Sequence, residues 1–227
     1  MAATSPYLVA GSFTKVAPHH TSVEALWDIK WRKPCSMGIY PFVDGHVEDF
    51  DRRRLTEPYD PDTFAAAFFP IAKELEEKAA QAETTGDVKI ASQLYLRVAA
   101  LYRIARFPIA RSSKTSEAWT LGKAAYMKAS LYLDPINTEL TIPHNHSDAS
   151  AGDGNIIHAY LRLPPHASAI EKVPVVIFIC GLDAYRTDHT SRTSEHIRRG
   201  FACLSIEIPG TGDCPAAKDD PTMVKYS

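Results

Sequence analysis

The spacing of apolar side chains changes along this chain, and the change separates two kinds of element. Between residues 62 and 84, Phe64, Phe68, Ile71, Leu75 and Ala79 recur three and four positions apart, as on one face of a helix. Asp60-Pro61 suits its start, because proline is tolerated in a first helical turn, and Gly86-Asp87 breaks the pattern. A second helix is predicted over 88–107. Ile90, Leu94, Leu101 and Ile104 form its stripe, Tyr95, Val98 and Tyr102 widen it, and Pro108 stops it. A third, over 115–133, sets Trp119, Tyr126, Ser130 and Leu133 on one side and ends before Pro135.

Beyond Pro135 the period shortens to two. Residues 137–143 alternate, with Leu140 and Ile142 on one face, as in a half-buried edge strand. A polar turn over 144–155 leads to a second alternating run, 156–163, so two antiparallel strands are the simplest account. Residues 173–180 and 201–208 are continuous apolar runs flanking a short helix at 190–199. Such runs suit parallel strands covered on both faces, so a strand, crossover helix and strand are predicted. Residues 219–227 have the makings of another helix start. The first sixty residues read as irregular, yet Trp27, Trp31, Tyr40, Phe42 and Phe50 argue for packing rather than disorder. The chain therefore divides into an irregular N-terminal segment (1–60), a helical, lid-like region (61–135) and the first strands of an α/β domain (136–227).

Composition narrows the function classes. A net charge of −2 over 227 residues gives no general pull toward nucleic acid, and no apolar run is long enough to span a bilayer. The N-terminus lacks a basic segment followed by a long apolar one. Cys35, Cys180, Cys203 and Cys214 are widely spaced, with no C-x-x-C pair, so a reduced, cytoplasmic protein is expected.

A hairpin followed by strand, turn, helix and strand is how an α/β-hydrolase sheet begins, and in that fold the loop after the third strand contributes a backbone N–H to the oxyanion hole. Here that loop is Cys180-Gly181-Leu182-Asp183-Ala184-Tyr185. Gly181 would let the backbone bend tightly, and the Leu182 N–H would face a developing oxyanion. Periodicity alone favours a plain glycine turn. Asp183, Tyr185 and Arg186 are candidate substrate contacts beside it; capping by Asp183 and packing by Tyr185 are equally open. Arg103 and Arg106 flank the second helix's stripe, where they suit phenolate oxygens or nearby acids. His144-Asn145-His146-Ser147-Asp148 has the H-x-H-x-D spacing of metal hydrolases, but it lies in a polar loop without an adjoining His and is read as no metal site. Gly210-Thr211-Gly212 reads as a turn, and His19-His20 as a solvated pair.

Several further pieces recur in order: Trp31-Arg32, Cys35-Ser36, Tyr40-Pro41-Phe42, Asp44-Gly45 and Glu48-Asp49-Phe50; then Tyr102-Arg103-Ile104-Ala105-Arg106-Phe107-Pro108; then Gly181 to Arg186; then Glu207-Ile208-Pro209-Gly210-Thr211 with Asp213-Cys214-Pro215. From about Phe13 onward the chain closely resembles the fungal yellowish-green pigment hydrolases of melanin biosynthesis, α/β-hydrolases with an N-terminal helical region. The resemblance implies a serine hydrolase that removes the acyl side chain of a small-molecule aromatic polyketide, a heptaketide naphthopyrone, by retro-Claisen cleavage. It implies neither cofactor nor metal.

No G-x-S-x-G elbow occurs. Asp148-Ala149-Ser150-Ala151-Gly152 and Pro34-Cys35-Ser36-Met37-Gly38 come nearest, and both read as loops. Ser, acid and His of the resembled family are therefore expected beyond Ser227, with the C-terminal half of the fold missing. The chain alone is then expected to be inactive, and to oligomerise or depend on the missing segment. Two other readings stand beside this one: an esterase of the same fold, and a helical interaction module resembling a tetratricopeptide unit over 78–102. A single such unit cannot bury its own face.

Overall fold

A computed structural model describes residues 21–52 and 59–216. His19-His20 and the helix start expected at 219–227 lie outside the described residues.

The N-terminal stretch departs from its irregular reading. Val23–Ala25 (α1) runs through a π-helical turn, Leu26–Trp31, into Arg32–Ser36 (α2), and Val47–Asp51 forms α3. A π turn shifts the 3.6-residue phase, which is why no helical stripe is visible in this sequence. Pro34 to Gly38, expected as a loop, is the end of α2 and its exit turn, with Gly38 at φ +62°. Trp27, Phe42 and Phe50 lie together in the core, with ring centroids 5.3–5.9 Å apart.

The helix expected over 62–84 is two helices, α4 (Pro61–Ala66) and α5 (Phe69–Thr84). Pro70 explains the break. It has no N–H to give the preceding turn, so it is accommodated only where a new helix begins. Asp60 caps α4 by accepting the Thr63 N–H at 2.7 Å. Helix α6 (Val88–Arg106) ends before Pro108 as predicted, and Leu101 and Ile104 of its stripe are buried with Tyr95, Val98 and Tyr102; Ile90 is exposed instead, and Ala91 beside it is buried. Helix α7 (Ser113–Ser130) starts on a capping box between Ser112 and Thr115. The α5–α6 hairpin is followed by α7 and a sheet, so it does not begin a helical array.

Among the described residues four strands form one sheet in the order β1 (Thr138–Pro143), β2 (Ile156–Arg162), β4 (Ala202–Ile206), β3 (Val175–Ile179). β1 and β2 pair antiparallel from Thr138↔Leu161 to Pro143↔Ile156. β2 meets β4 antiparallel, and β3 runs parallel to β4 from Val175↔Ala202 to Ile179↔Ile206, with α8 (Thr190–Arg198) as crossover. The expected strand–helix–strand unit is present. One expectation fails: β3 is not covered on both faces. Val175, Ile177 and Ile179 are exposed on one side, while Phe178 packs against His189 and His196 on the other.

One apolar cluster joins Val23, Trp27 and Phe42 to the interior of α4–α7 and reaches Tyr160 of β2. Helices and sheet share a core, and that sharing holds the helical face against the end of β3 where the site lies.

Candidate functional site

The candidate site begins where β3 ends. The Cys180 N–H still donates to the Ile206 carbonyl at 2.9 Å, extending the β3–β4 ladder by one residue. The chain then turns through Gly181, Leu182 and Asp183. None of these three N–H groups donates to a partner among the described residues, and the Leu182 side chain is 63% exposed. Gly181 corrects its expectation. Its φ is not left-handed, and a Cβ there would meet only Asp183 Oδ1, at 3.9 Å, so no sharp bend requires glycine.

The following residues are fastened to the helices. Arg106, at the end of α6, is buried and donates from Nη1 to the Asp183 carbonyl at 2.9 Å and from Nη2 to Asp188 Oδ2 at 2.5 Å. Its guanidinium lies 3.6 Å from the centre of the Tyr185 ring, which Trp119 meets edge-on at 4.9 Å. Asp188 also accepts the Tyr185 N–H at 2.9 Å and Arg103 Nε at 2.8 Å. Burial alone would raise the Asp188 carboxyl, but Arg103 and Arg106 hold it down at about 2. Arg103 in turn donates to the carbonyls of Pro41 and Val43, tying in the N-terminal segment. Removing one member would strand a buried charge, at a cost of roughly 3–5 kcal/mol.

A second network lies alongside. Arg186, 1% exposed, gives Nη1 to Glu207 Oε2 and Nη2 to Asp213 Oδ2, both at 2.7 Å, and its N–H to Glu207 Oε1 at 3.1 Å. Asp213 also accepts Trp119 Nε1 at 2.8 Å and Lys123 Nζ at 2.7 Å, both from α7. Burial pushes the Asp213 carboxyl up, yet Arg186 and Lys123 bring it down to about 2. Burial outweighs Arg186 at Glu207, whose carboxyl is raised. Gly210-Thr211-Gly212 is the turn expected, with Thr211 Oγ1 donating to the Ile208 carbonyl at 2.8 Å.

On the other side of Asp183 opens a cleft of 550 Å³, lined chiefly by Trp31, Tyr40, Phe42, Tyr59, Phe64 and Phe107, with Lys30 and Asp183 contributing charge. It is within the size range of small-ligand sites and mostly apolar, as such sites are. Tyr40 lines it with its ring. The Tyr40 hydroxyl is enclosed without a hydrogen-bond partner among the described residues, and burial, reinforced by Asp188, raises its phenol.

The structure thus gathers Gly181, Leu182 and Asp183 beside an aromatic cleft and places Tyr185 and Arg186 in the buried networks behind it. Arg103 and Arg106 pair with an acid, the second of the two alternatives open to them. Asp188 escaped sequence reasoning altogether. The signal was available: two Arg on one helix need a buried carboxylate, and Asp188 follows the glycine turn closely. The His144–Asp148 stretch forms no ligand set; His144 Nδ1 meets the Gly154 carbonyl, Asp148 caps the 3₁₀ turn Ala149–Ala151, and no metal-holding cluster occurs among the described residues. That turn is not a strand-to-helix elbow.

The profile of the family described as "Esterase FrsA-like" matches residues 72–219, from within α5 through α6, α7 and the sheet, including the turn and the charged side chains of both networks. The chain belongs to the FrsA-like esterase family. Its relatives include the esterases FrsA of Yersinia pestis (strain Pestoides F) and Yersinia pseudotuberculosis (serotype O:1b, strain IP 31758), each 32% identical over 124 residues, which is 54% of this chain and 28% of theirs. The chain thus spans little more than a quarter of the length of these relatives. Among solved structures, 2,6-dihydroxy-pseudo-oxynicotine hydrolase superposes with a TM-score of 0.59 at 18% identity, over 81% of this chain and 46% of that one. Wild-type AbyA5 superposes at 0.52 and 18%, over 88% and 50%. These likenesses establish the α/β-hydrolase fold of this FrsA-like chain. No helix among its described residues is long and apolar enough to cross a membrane.

Proposed function

We propose that this FrsA-like chain supplies the oxyanion-stabilising corner and the substrate cleft of a serine-type hydrolase acting on an aromatic polyketide, with 136–227 as the beginning of the hydrolase domain and 61–135 as its lid. The observation that carries the reading is the adjacency of unpartnered backbone N–H groups at Gly181–Asp183 to an aromatic cleft that Asp183 itself lines. Preorganised N–H donors stabilise charge that develops on a carbonyl oxygen, and aromatic walls suit a flat ring system.

In the proposed reaction a serine Oγ adds to a ketone of the substrate while its base takes the hydroxyl proton, later given to the leaving ring, and the carbonyl electrons move onto oxygen, where the Leu182 N–H donates to them. Collapse re-forms the carbonyl and breaks the bond to the ring carbon. The ring leaves as a stabilised carbanion and takes a proton, and water then hydrolyses the acyl-enzyme to a carboxylic acid. The serine, its base and the base's acid are assigned to no residue of the chain, so hydrolysis belongs to a longer polypeptide that carries a nucleophile elbow. The resemblance of the ordered motifs to those of fungal pigment hydrolases favours carbon–carbon cleavage; membership among FrsA-like esterases favours an ester as the second reading.

A heptaketide naphthopyrone and a p-nitrophenyl ester, offered to the chain and to the polypeptide extended through the elbow, separate these readings. Release of the shortened naphthalene product by the extended protein supports the first, and ester turnover alone supports the second. Failure to convert either sinks the proposal.

A further inference from the structure

We infer that Arg106 is a positioning residue for the oxyanion turn, acting from α6 through the backbone of Asp183; the inference rests on the proposed role of the Leu182 N–H. The turn has a weakness that makes such a device necessary. Gly181, Leu182 and Asp183 give no N–H to any partner among the described residues, Leu182 is largely exposed, and the nearest atom to a Cβ on Gly181 would be 3.9 Å away. Nothing within the turn fixes the direction of its peptides. A donor that is to meet an oxyanion must nevertheless be held in place before the reaction, because its contribution depends on avoiding reorganisation.

Arg106 supplies that hold at three points along the connection from β3 to α8. Nη1 takes the Asp183 carbonyl, two peptides on from the one that carries the Leu182 N–H; the guanidinium face covers the Tyr185 ring at 3.6 Å; Nη2 takes Asp188 at 2.5 Å. Asp188 closes the loop by accepting the Tyr185 N–H. The planar fork of arginine is what lets one side chain make the carbonyl and carboxylate contacts together, and a lysine in its place has only a point charge to offer. Arg103 is the internal comparison. It shares Asp188 through Nε at 2.8 Å but spends Nη1 on the carbonyls of Pro41 and Val43, away from the turn. The two arginines thus neutralise the same carboxylate while only one touches the turn.

The test compares Arg106→Lys with Arg103→Lys by amide hydrogen exchange on the chain and by kcat and KM for p-nitrophenyl ester hydrolysis on the extended polypeptide. Both substitutions keep the charge at Asp188 and are expected to lower the thermal midpoint similarly. Arg106→Lys alone is expected to speed exchange of the Tyr185 amide, which is buried and held by Asp188, by about tenfold or more, as a locally released segment does. It is also expected to lower kcat about tenfold or more with KM little changed, the pattern of a contact made in the transition state. Arg106→Gln, which leaves Asp188 paired with Arg103, serves if Arg106→Lys does not fold, and is expected to give an effect of the same kind. Exchange of the Tyr185 amide equal to wild type in folded Arg106→Lys, or equal acceleration in Arg103→Lys, overturns the inference. An inactive wild-type extended polypeptide overturns the hydrolase reading, and the exchange comparison then decides the positioning role by itself.

Discussion

Gly212 stands at φ +51°, where side chains are disfavoured, and a Cβ there would come within 2.5 Å of Glu207 Cγ. Glu207 cannot retreat, because both its oxygens hold Arg186. Gly212→Ala is therefore expected to destabilise the chain by about 2 kcal/mol or more, combining backbone strain with displacement of a buried ion pair, as read by urea unfolding. His189 offers a pH test. It is buried against Phe178, and burial lowers its imidazole from 6.5 to about 4, outweighing the attraction of Asp188. Between those values the unfolded chain binds a proton that the native chain does not, so stability is expected to fall as pH drops from about 6.5 toward 4, by an amount on the order of 3 kcal/mol. Unfolding midpoints at pH 7 and pH 5 should differ less in His189→Gln than in wild type; equal differences would remove His189 from the account. Neither residue's role was visible in the sequence. Gly212 looked like an ordinary turn glycine and His189 like one of nine histidines, because what singles them out is a neighbour from another element.

At the scale of elements, legibility followed locality. The ends of α6 and the pairing of β1 with β2 could be read directly, since a proline, a turn and an alternating pattern act within a few residues. The break between α4 and α5 was legible in principle from Pro70 but hidden by a stripe that continues across it. The N-terminal helices were not legible, because a π turn shifts their phase and aromatic contacts from distant residues hold them. Phe42 tests this last explanation. It is fully buried and meets Trp27, Trp31 and Phe50 at ring separations of 5.3–5.9 Å, so it ties the π-helical turn to α3. Phe42→Ala is expected to cost about 3–5 kcal/mol. Because it also lines the cleft, the same change should leave exchange of the sheet amides little altered while that of 23–51 accelerates. Uniform acceleration would show that the N-terminal segment and the sheet unfold as one.

For the whole molecule, the contrast between the two sides of the sheet matters most. β1 carries Glu139 on its length and ends in Pro143, features that discourage another strand from adding. β3 reads Val-Val-Ile-Phe-Ile, with no charge or proline, and lies at the end of the strand order among the described residues. Its outer face shows Val175, Ile177 and Ile179, each more than half exposed, and Leu182 continues the apolar surface. A flat, uncharged, β-branched strand of this kind is a template for pairing with another chain, and the apolar face beside it adds a further drive to association. The chain is therefore expected to associate at micromolar concentrations, as measured by light scattering on a sizing column. Ile177→Lys places a charge on the bare face without touching the core, so it should cost within about 0.5 kcal/mol of stability while shifting the population toward monomer. A lysine at Val176, on the side covered by α8, should instead unfold the strand, which separates association through this face from a general response to charge. If the wild-type chain is already a monodisperse monomer with a cooperative unfolding transition, the exposed strand is not an association surface and the argument from its composition fails.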